Sequence, residues 1–451
     1  MLGKAVSVTR RTANRAQEDF HRFLALEVSG GVVLLVAAII ALIAANSPLA
    51  DSYARLWEIP ISINIGDWHI SEPLIGWIDD GLMALFFFVV GLEIKREVLV
   101  GELSSARKAA LPIIAAIGGM LAPALIYILF NRGTSGAAGW GIPMATDIAF
   151  ALGVLALLGS AVPVGLKVFL TALAIADDIG AIIVIAMFYT EQIHWGWLGA
   201  GLLLLLCLVA LNLLKVDSPV PYAIVATVIW FCFLHSGIHA TIAGVLVALT
   251  IPATAKTQPL AFVEWTRGKL DRIVGCNVPG AHVLEDAEQQ YLALEIRSEA
   301  LHVAAPLQRL EHGLQPFTTY LILPLFALAN AGVTLTGYNL ADLLIQPVTL
   351  GIFFGLIAGK ALGIFSLTWI AIKLKLADLP PNVNWSHIAG AGILGGIGFT
   401  MSLFVSNLAF TDPYLLAEAK FAILVTSLVA GALGFAFLKV VSGRTPADEV
   451  V

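Results

Sequence analysis

The sequence predicts an all-α polytopic membrane protein of about twelve transmembrane helices, with a short β-hairpin outside the bilayer. Three observations carry that reading. The 451-residue chain is 59% hydrophobic and only 12% charged, with a mean hydropathy of +0.90, whereas a soluble chain has about 25% charged residues. Apolar runs of roughly 20 residues, the length that crosses a bilayer core, recur from one end to the other. Lysine and arginine gather at one set of run ends, as the orientation of a multi-spanning chain requires. The net charge of −6, without any dense basic tract, gives no sign of nucleic-acid binding. Cys207, Cys232 and Cys276 are scattered, with no CxxC pair and no metal-ligand spacing.

Residues 1–22 carry Arg10, Arg11 and Arg15, then Glu18 and Asp19. The run that follows, about 24–46, exceeds the 7–15 apolar residues of a signal-peptide core and reads as a retained first span. Residues 59–70 place isoleucine at every second position up to Ile65 and then Gly66-Asp67, the pattern of a β-hairpin. Span two, about 73–93, opens on Asp79 and Asp80 and closes on Glu93-Ile94-Lys95-Arg96-Glu97. Span three is about 109–130. Span four, about 137–158, contains Pro143, Thr146 and Asp147, which predict a helix break whose freed backbone groups need partners. Span five, about 165–189, is apolar except for Lys167 near its start and the adjacent Asp177 and Asp178 near its middle.

Spans six to eight are about 195–213, 219–234 and 237–252. Residues 254–314 form the one long polar segment, read as a loop with some amphipathic helix and too small and mixed for a domain. Span nine is about 316–335. Span ten, about 348–372, has Lys360 at its centre. Span eleven, about 386–409, holds Gly392, Gly395, Gly396 and Gly398, then Thr400 and Ser402, and predicts a second break. Span twelve is about 415–438, and a short polar tail, 439–451, follows. The whole chain thus reads as a single integral membrane domain.

An even number of spans puts both termini on one side. With the N-terminus inside, the outer loops hold only Arg55 and Arg132, plus Lys420 at the start of the last span. The remaining basic residues, Lys360 apart, fall inside, so both termini and the 254–314 loop are predicted to be cytoplasmic. The interrupted spans are the middle members of spans three to five and ten to twelve. Such a placement points to an inverted-repeat transporter with its site where the two breaks cross.

The chemistry centres on Asp177 and Asp178. Each acid costs about 2.5–3.5 kcal/mol to insert at a helix centre, and ionisable residues at that depth mark functional sites. A hard cation takes oxygen ligands, and a buried carboxyl can hold either a proton or a cation on the same oxygens. That competition gives exchange when the site alternates sides. Neighbouring helical residues point about 100° apart, so the two acids cannot form one chelate. One can face a cation while the other faces Lys360. More than one proton per cycle is then expected, which makes exchange electrogenic. His235 and His239 have i, i+4 spacing, but Ser236-Gly237 between them predicts a turn and no HExxH is present.

Five stretches, residues 145–153, 174–181, 236–241, 321–332 and 396–402, together resemble the NhaA family of bacterial Na⁺/H⁺ antiporters, in the same order over nearly the whole chain. The resemblance implies an inverted-repeat antiporter fold in the bacterial inner membrane and a secondary transporter, not an enzyme, with no cofactor. It implies pH-regulated export of Na⁺ (or Li⁺) in exchange for protons, serving sodium and pH homeostasis, and a homodimer formed through the hairpin 59–70. By the same resemblance Asp178 is the main cation ligand and proton carrier, and Asp177 its neighbour, paired with Lys360. Asp147 with Thr146 balances the half-helix ends. Glu93, with Lys95 and Arg96, belongs to the cytoplasmic mouth. Arg309, Glu311 and His312 belong to a cytoplasmic pH-response cluster, to which His239 is added as a pH modulator. Gln315 stands where the family pattern has a second histidine, and Gln308 where it has a lysine, so the pH threshold is not expected to carry over.

Other classes fit less well. An intramembrane aspartyl protease needs acids from two helices sharing a proton, which a mid-span lysine opposes, and the GxGD-type signature is absent. A cation channel repeats charged rings around a pore, unlike one asymmetric Asp–Asp–Lys site. A related organic-anion symporter is disfavoured by a double acid facing a helix break.

Overall fold

A computed structural model describes residues 29–65, 68–190, 192–275, 287–334 and 340–442. Arg10, Arg11, Arg15, Glu18 and Asp19, the hairpin turn Gly66-Asp67, Cys276, Glu285, Asp286 and tail residues 443–451 lie outside them. Among the described residues, six helices are long and apolar enough to cross a membrane, or nine if each of three bent pairs counts as one span. The six are Leu74–Val100, Ala106–Asn131, Val164–Phe188, Trp195–Leu213, Pro347–Lys373 and Pro413–Ser442. The bent pairs are Ser29–Ala45 with Ala50–Trp57, Ser135–Met144 with Ile148–Leu157, and Trp385–Leu394 with Phe399–Ala409.

Two predicted spans are shorter than expected. Pro219–Leu234 has 16 residues and Ala240–Thr250 has 11, about 24 and 16 Å of helix. The second is cut at both ends, by the turn at Gly237 (φ +83°) and by Ile251-Pro252. The ninth predicted span, 316–335, is composite. Pro306–Phe317, which lies mostly in the 254–314 segment, leads through a π-turn, Thr318–Ile322, into Leu323–Asn330.

The first span turns by 118° into Ala50–Trp57, a helix that hydropathy alone did not reveal. Asn46 holds that corner, its amide donating to the carbonyls of Leu42 (2.8 Å) and Val333 (2.7 Å). The hairpin forms as predicted. Strand β1 (Pro60–Ile65) pairs antiparallel with β2 (Trp68–Pro73), Ile65 opposite Trp68. Within the 254–314 segment, Pro259–Gly275 and Ala287–Val303 are helices joined by Lys269–Glu295 (2.6 Å) and Arg272–Glu288 (2.9 Å) ion pairs.

Small residues set how closely the helices approach, as is usual where lipid offers no hydrophobic drive for association. A Cβ on Gly118 would stand 2.2 Å from the Gly363 carbonyl oxygen, and one on Gly363 2.1 Å from that of Gly118. Ala106–Asn131 and Pro347–Lys373 therefore touch backbone to backbone beside Lys360. Gly244 makes the same kind of contact with the Ala84 carbonyl, bringing Ala240–Thr250 onto the helix that bears Glu93. The buried Glu418 (2% exposed) accepts from the Thr349 N–H at 3.0 Å, capping the first turn of Pro347–Lys373.

Candidate cation and proton site

The site begins at the two helix breaks. Ser135–Met144 is a 3-10 segment, and the chain restarts as Ile148–Leu157 with Asp147 as its N-cap, Oδ1 accepting from the Phe150 N–H at 2.9 Å. Oδ2 of Asp147 accepts from the Thr400 N–H at 3.0 Å and from the Thr400 hydroxyl. The Asp147 N–H donates to the Ile397 carbonyl at 2.7 Å, and the Thr146 hydroxyl to the Gly395 carbonyl at 2.9 Å. Ser402 adds a bond to the Ile142 carbonyl at 2.8 Å. A broken helix leaves unpaired donors and acceptors, and here each break supplies what the other lacks. The two pairs bend by 46° and 48°.

Asp177 and Asp178 lie in Val164–Phe188, each 2% exposed. Their side chains diverge as the helix demands. Oδ2 of Asp177 accepts from Lys360 Nζ at 2.6 Å, and Lys360 is 1% exposed. Lys360 follows directly on a π-turn, Gly355–Gly359, the kind of helical irregularity that recurs at functional sites. Asp178 instead lines a cavity of about 50 Å³, together with Asp147, Glu93, Gln315, Thr318 and Thr400. Its Oδ1 is buried without a hydrogen-bond partner, as is that of Asp177. The cavity has room for a few waters or a small cation, and its wall carries carboxylate, hydroxyl and amide oxygens of the type a hard cation accepts.

At the mouth, Glu93 is half-buried, and Arg96 one turn further on bonds Glu311 (Nη1–Oε1, 2.9 Å) and Glu97 (3.2 Å). Glu311 is 3% exposed; burial pushes its carboxyl up from its ordinary value, and the Arg96 guanidinium pulls it back. The other predicted members differ in how close they come: His312 sits next to Glu311 and also pulls its carboxyl back, whereas Arg309 is engaged elsewhere. Arg309 donates to the Asp217 carbonyl at 2.9 Å. His312 is exposed. Lys95 ties the carbonyls of Leu249 (2.7 Å) and Ile251 (2.5 Å), closing the end of Ala240–Thr250.

His239 stands apart from Arg96 and Glu311. It precedes Ala240–Thr250 at the end opposite Lys95, about 16 Å away along the helix. Its Nε2 meets the Tyr189 carbonyl at 2.7 Å, so it belongs with the turn that follows the Asp177–Asp178 helix.

Sequence reasoning also missed a second polar cluster. Asp79 accepts from the Asn330 amide (2.7 Å) and from the Asn407 amide (3.1 Å), and Lys420 approaches the Asn330 carbonyl oxygen at 3.4 Å. Lys420 lies near the start of Pro413–Ser442, where the last span was expected to begin. The signal was present in Asn330 and Asn407, lone amides within apolar runs. Thr318 and Thr319 on the cavity were missed because they are uncharged, and Gln315 was noted only for the histidine it replaces.

Residues 21–438 match the family model described as Na⁺/H⁺ antiporter 1. The chain is 48% identical over 433 residues to the Na⁺/H⁺ antiporter NhaA 1 of Saccharophagus degradans, covering 96% of this chain and 93% of that one. It is 48% identical over 428 residues to the NhaA antiporter of Oleidesulfovibrio alaskensis, covering 95% of each. The NhaA antiporter of Helicobacter pylori strain G27 is 47% identical over 439 residues, 96% of this chain and 98% of that one.

Proposed function

The chain belongs to the Na⁺/H⁺ antiporter 1 family, and on that premise we propose that it exports Na⁺, and Li⁺, across the bacterial inner membrane in exchange for protons. Asp178 is the shared ligand. The observation that carries this reading is the division of labour between the two acids. Asp177 is committed to Lys360, while Asp178 stands on the cavity with an oxygen that no protein group satisfies.

Proton and Na⁺ compete for the Asp178 carboxylate, and Thr400 and Gln315 offer neutral oxygens beside it. Asp147 and Thr146 hold the two breaks together, so a movement of one interrupted span carries the other. The Asp177–Lys360 pair adds a second group that can exchange a proton during the cycle, which supports electrogenic exchange. Arg96, Glu97 and Glu311 beside the half-buried Glu93 form the element through which cytoplasmic pH acts, with His239 contributing from the other end.

In this reading twelve spans form an inverted repeat, the breaks cross at the site, and both termini and the 254–314 segment are cytoplasmic. Two copies associate through the hairpin 59–70; deletion of those residues is expected to convert the native dimer to a monomer, read as native mass.

The direct test is proton flux in inside-out vesicles acidified by respiration and followed with a ΔpH dye. Na⁺ is expected to dissipate the gradient in wild type and not in Asp178→Asn. No response in wild type, with the protein folded and in the membrane, would end the antiport reading.

A further inference from the structure

We propose that the chain carries a binding site for a divalent transition-metal ion of the Zn²⁺ type. The site is built from His194 and His235 on the face away from Arg96 and Glu311, where it clamps two turns together. Neither residue takes part in the exchange site described above.

The two turns are those that end the Asp177–Asp178 helix and precede Ala240–Thr250. Three contacts already hold them together. The His194 N–H donates to the Ser236 carbonyl at 2.9 Å. His239 Nε2 reaches the Tyr189 carbonyl at 2.7 Å. Gly237, at φ +83°, lies so close to Gln192 that a Cβ there would stand 2.2 Å from the Gln192 carbonyl oxygen. His194 and His235 then line one open depression with Gln192, Leu234 and Gly237.

The imidazole of His235 is prepared for a metal. Its Nδ1 stands 3.0 Å from the Phe231 carbonyl. A carbonyl only accepts, so Nδ1 carries the proton and Nε2 of the neutral ring keeps its lone pair. This is the arrangement by which protein groups orient metal-ligating histidines. Tilted ring contacts with Phe231 (centroids 4.3 Å apart) and Trp197 (5.3 Å) fix the ring further. His194 is exposed at the rim. Among the described residues no third His, Cys, Asp or Glu completes a cage, so water or the Gln192 amide fills the remaining positions. Two imidazoles select Zn²⁺, Ni²⁺ or Cu²⁺ over the hard ions Na⁺ and Mg²⁺.

The consequence is inhibition. The first turn leads from the helix that carries Asp178; the second leads into the helix packed, through Gly244, on the one that carries Glu93. A metal bridging them opposes relative movement of those two blocks.

The test uses purified full-length protein without an affinity tag. Calorimetric titration with ZnCl₂ is expected to show equimolar binding in wild type. Binding should weaken at least about tenfold in His235→Ala and His194→Ala, since loss of even an outer-shell partner costs 10–100-fold in affinity. Unchanged binding in the double variant would overturn the site. In proteoliposomes, ZnCl₂ on the hairpin side is expected to slow Na⁺-driven proton flux in wild type but not in the double variant, whose metal-free flux stays at the wild-type level. Stoichiometric binding without inhibition would overturn the clamp.

Discussion

Removing Lys360 tests the core of the mechanism. At 2.6 Å, the attraction between Lys360 and Asp177 is about 6 kcal/mol at an effective dielectric constant near 20. Much of that offsets desolvation of the two groups, so the pair itself adds little net stability. Deleting one partner is different: an uncompensated buried charge typically costs about 3–5 kcal/mol. Both side chains are at most 2% exposed, so bulk solvent does not screen the charge that is left behind. Lys360→Met and Asp177→Asn are each expected to lower the unfolding temperature of the detergent-solubilised protein, followed by tryptophan fluorescence. Lys360→Met with Asp177→Asn should recover most of the loss, because removing both charges is near neutral. The coupling in that double-mutant cycle is expected to reach about 3 kcal/mol, the upper end for residues in contact. Losses that simply add would refute the pairing as an energetic unit. Transport by Lys360→Ala is expected to be impaired or shifted in pH, and wild-type flux at every pH would remove Lys360 from the cycle.

Glu311 supplies a pH prediction with a definite sign. Its folded-state carboxyl is raised, so the folded protein favours the protonated form, and this contribution to stability is full below the ordinary carboxyl range and lost as pH rises through the raised value. Arg96→Ala removes the opposing charge and is expected to move this window, and any pH response tied to it, upward. Glu311→Gln should flatten it, as read from unfolding temperature and antiport rate across pH. Gly363→Ala places a methyl group against the Gly118 carbonyl; it is expected to cost roughly 1–3 kcal/mol as overpacking and to slow transport by moving Lys360 away from Asp177.

The site was legible where burial makes a residue type improbable. Asp147, Asp177, Asp178 and Lys360 stood out because charge at that depth is expensive, and both helix breaks were announced by Pro143 and by the glycines of 392–398. Helical geometry also required Asp177 and Asp178 to face apart, although only the structure gives each its neighbours. Neutral polar residues escaped: Thr318, Asn330 and Asn407 carry little penalty and lie in no amphipathic pattern. Ala50–Trp57 escaped because it neither spans nor alternates. The separation of His239 from Arg96 and Glu311 was not legible, because it depends on a helix of only 11 residues. The shortness of that helix is itself set by Gly237 and Pro252, local signals whose joint effect appears only once both ends are packed.

The partners at the site are also far apart in the order of synthesis. Asp177 and Lys360 are separated by 183 residues, and Asp147 and Thr400 by 253. At 5–20 residues per second, Asp177 leaves the ribosome roughly 10–40 s before its cation is made. The hydroxyl and amide that satisfy Asp147 follow that residue by roughly 13–50 s. Early helices must therefore occupy the membrane for that interval with their polar groups unmatched, and a chain cut short before residue 360 retains an acid that nothing can neutralise. Assembly of the site is a late event in biogenesis, and it joins the first half of the chain to the second.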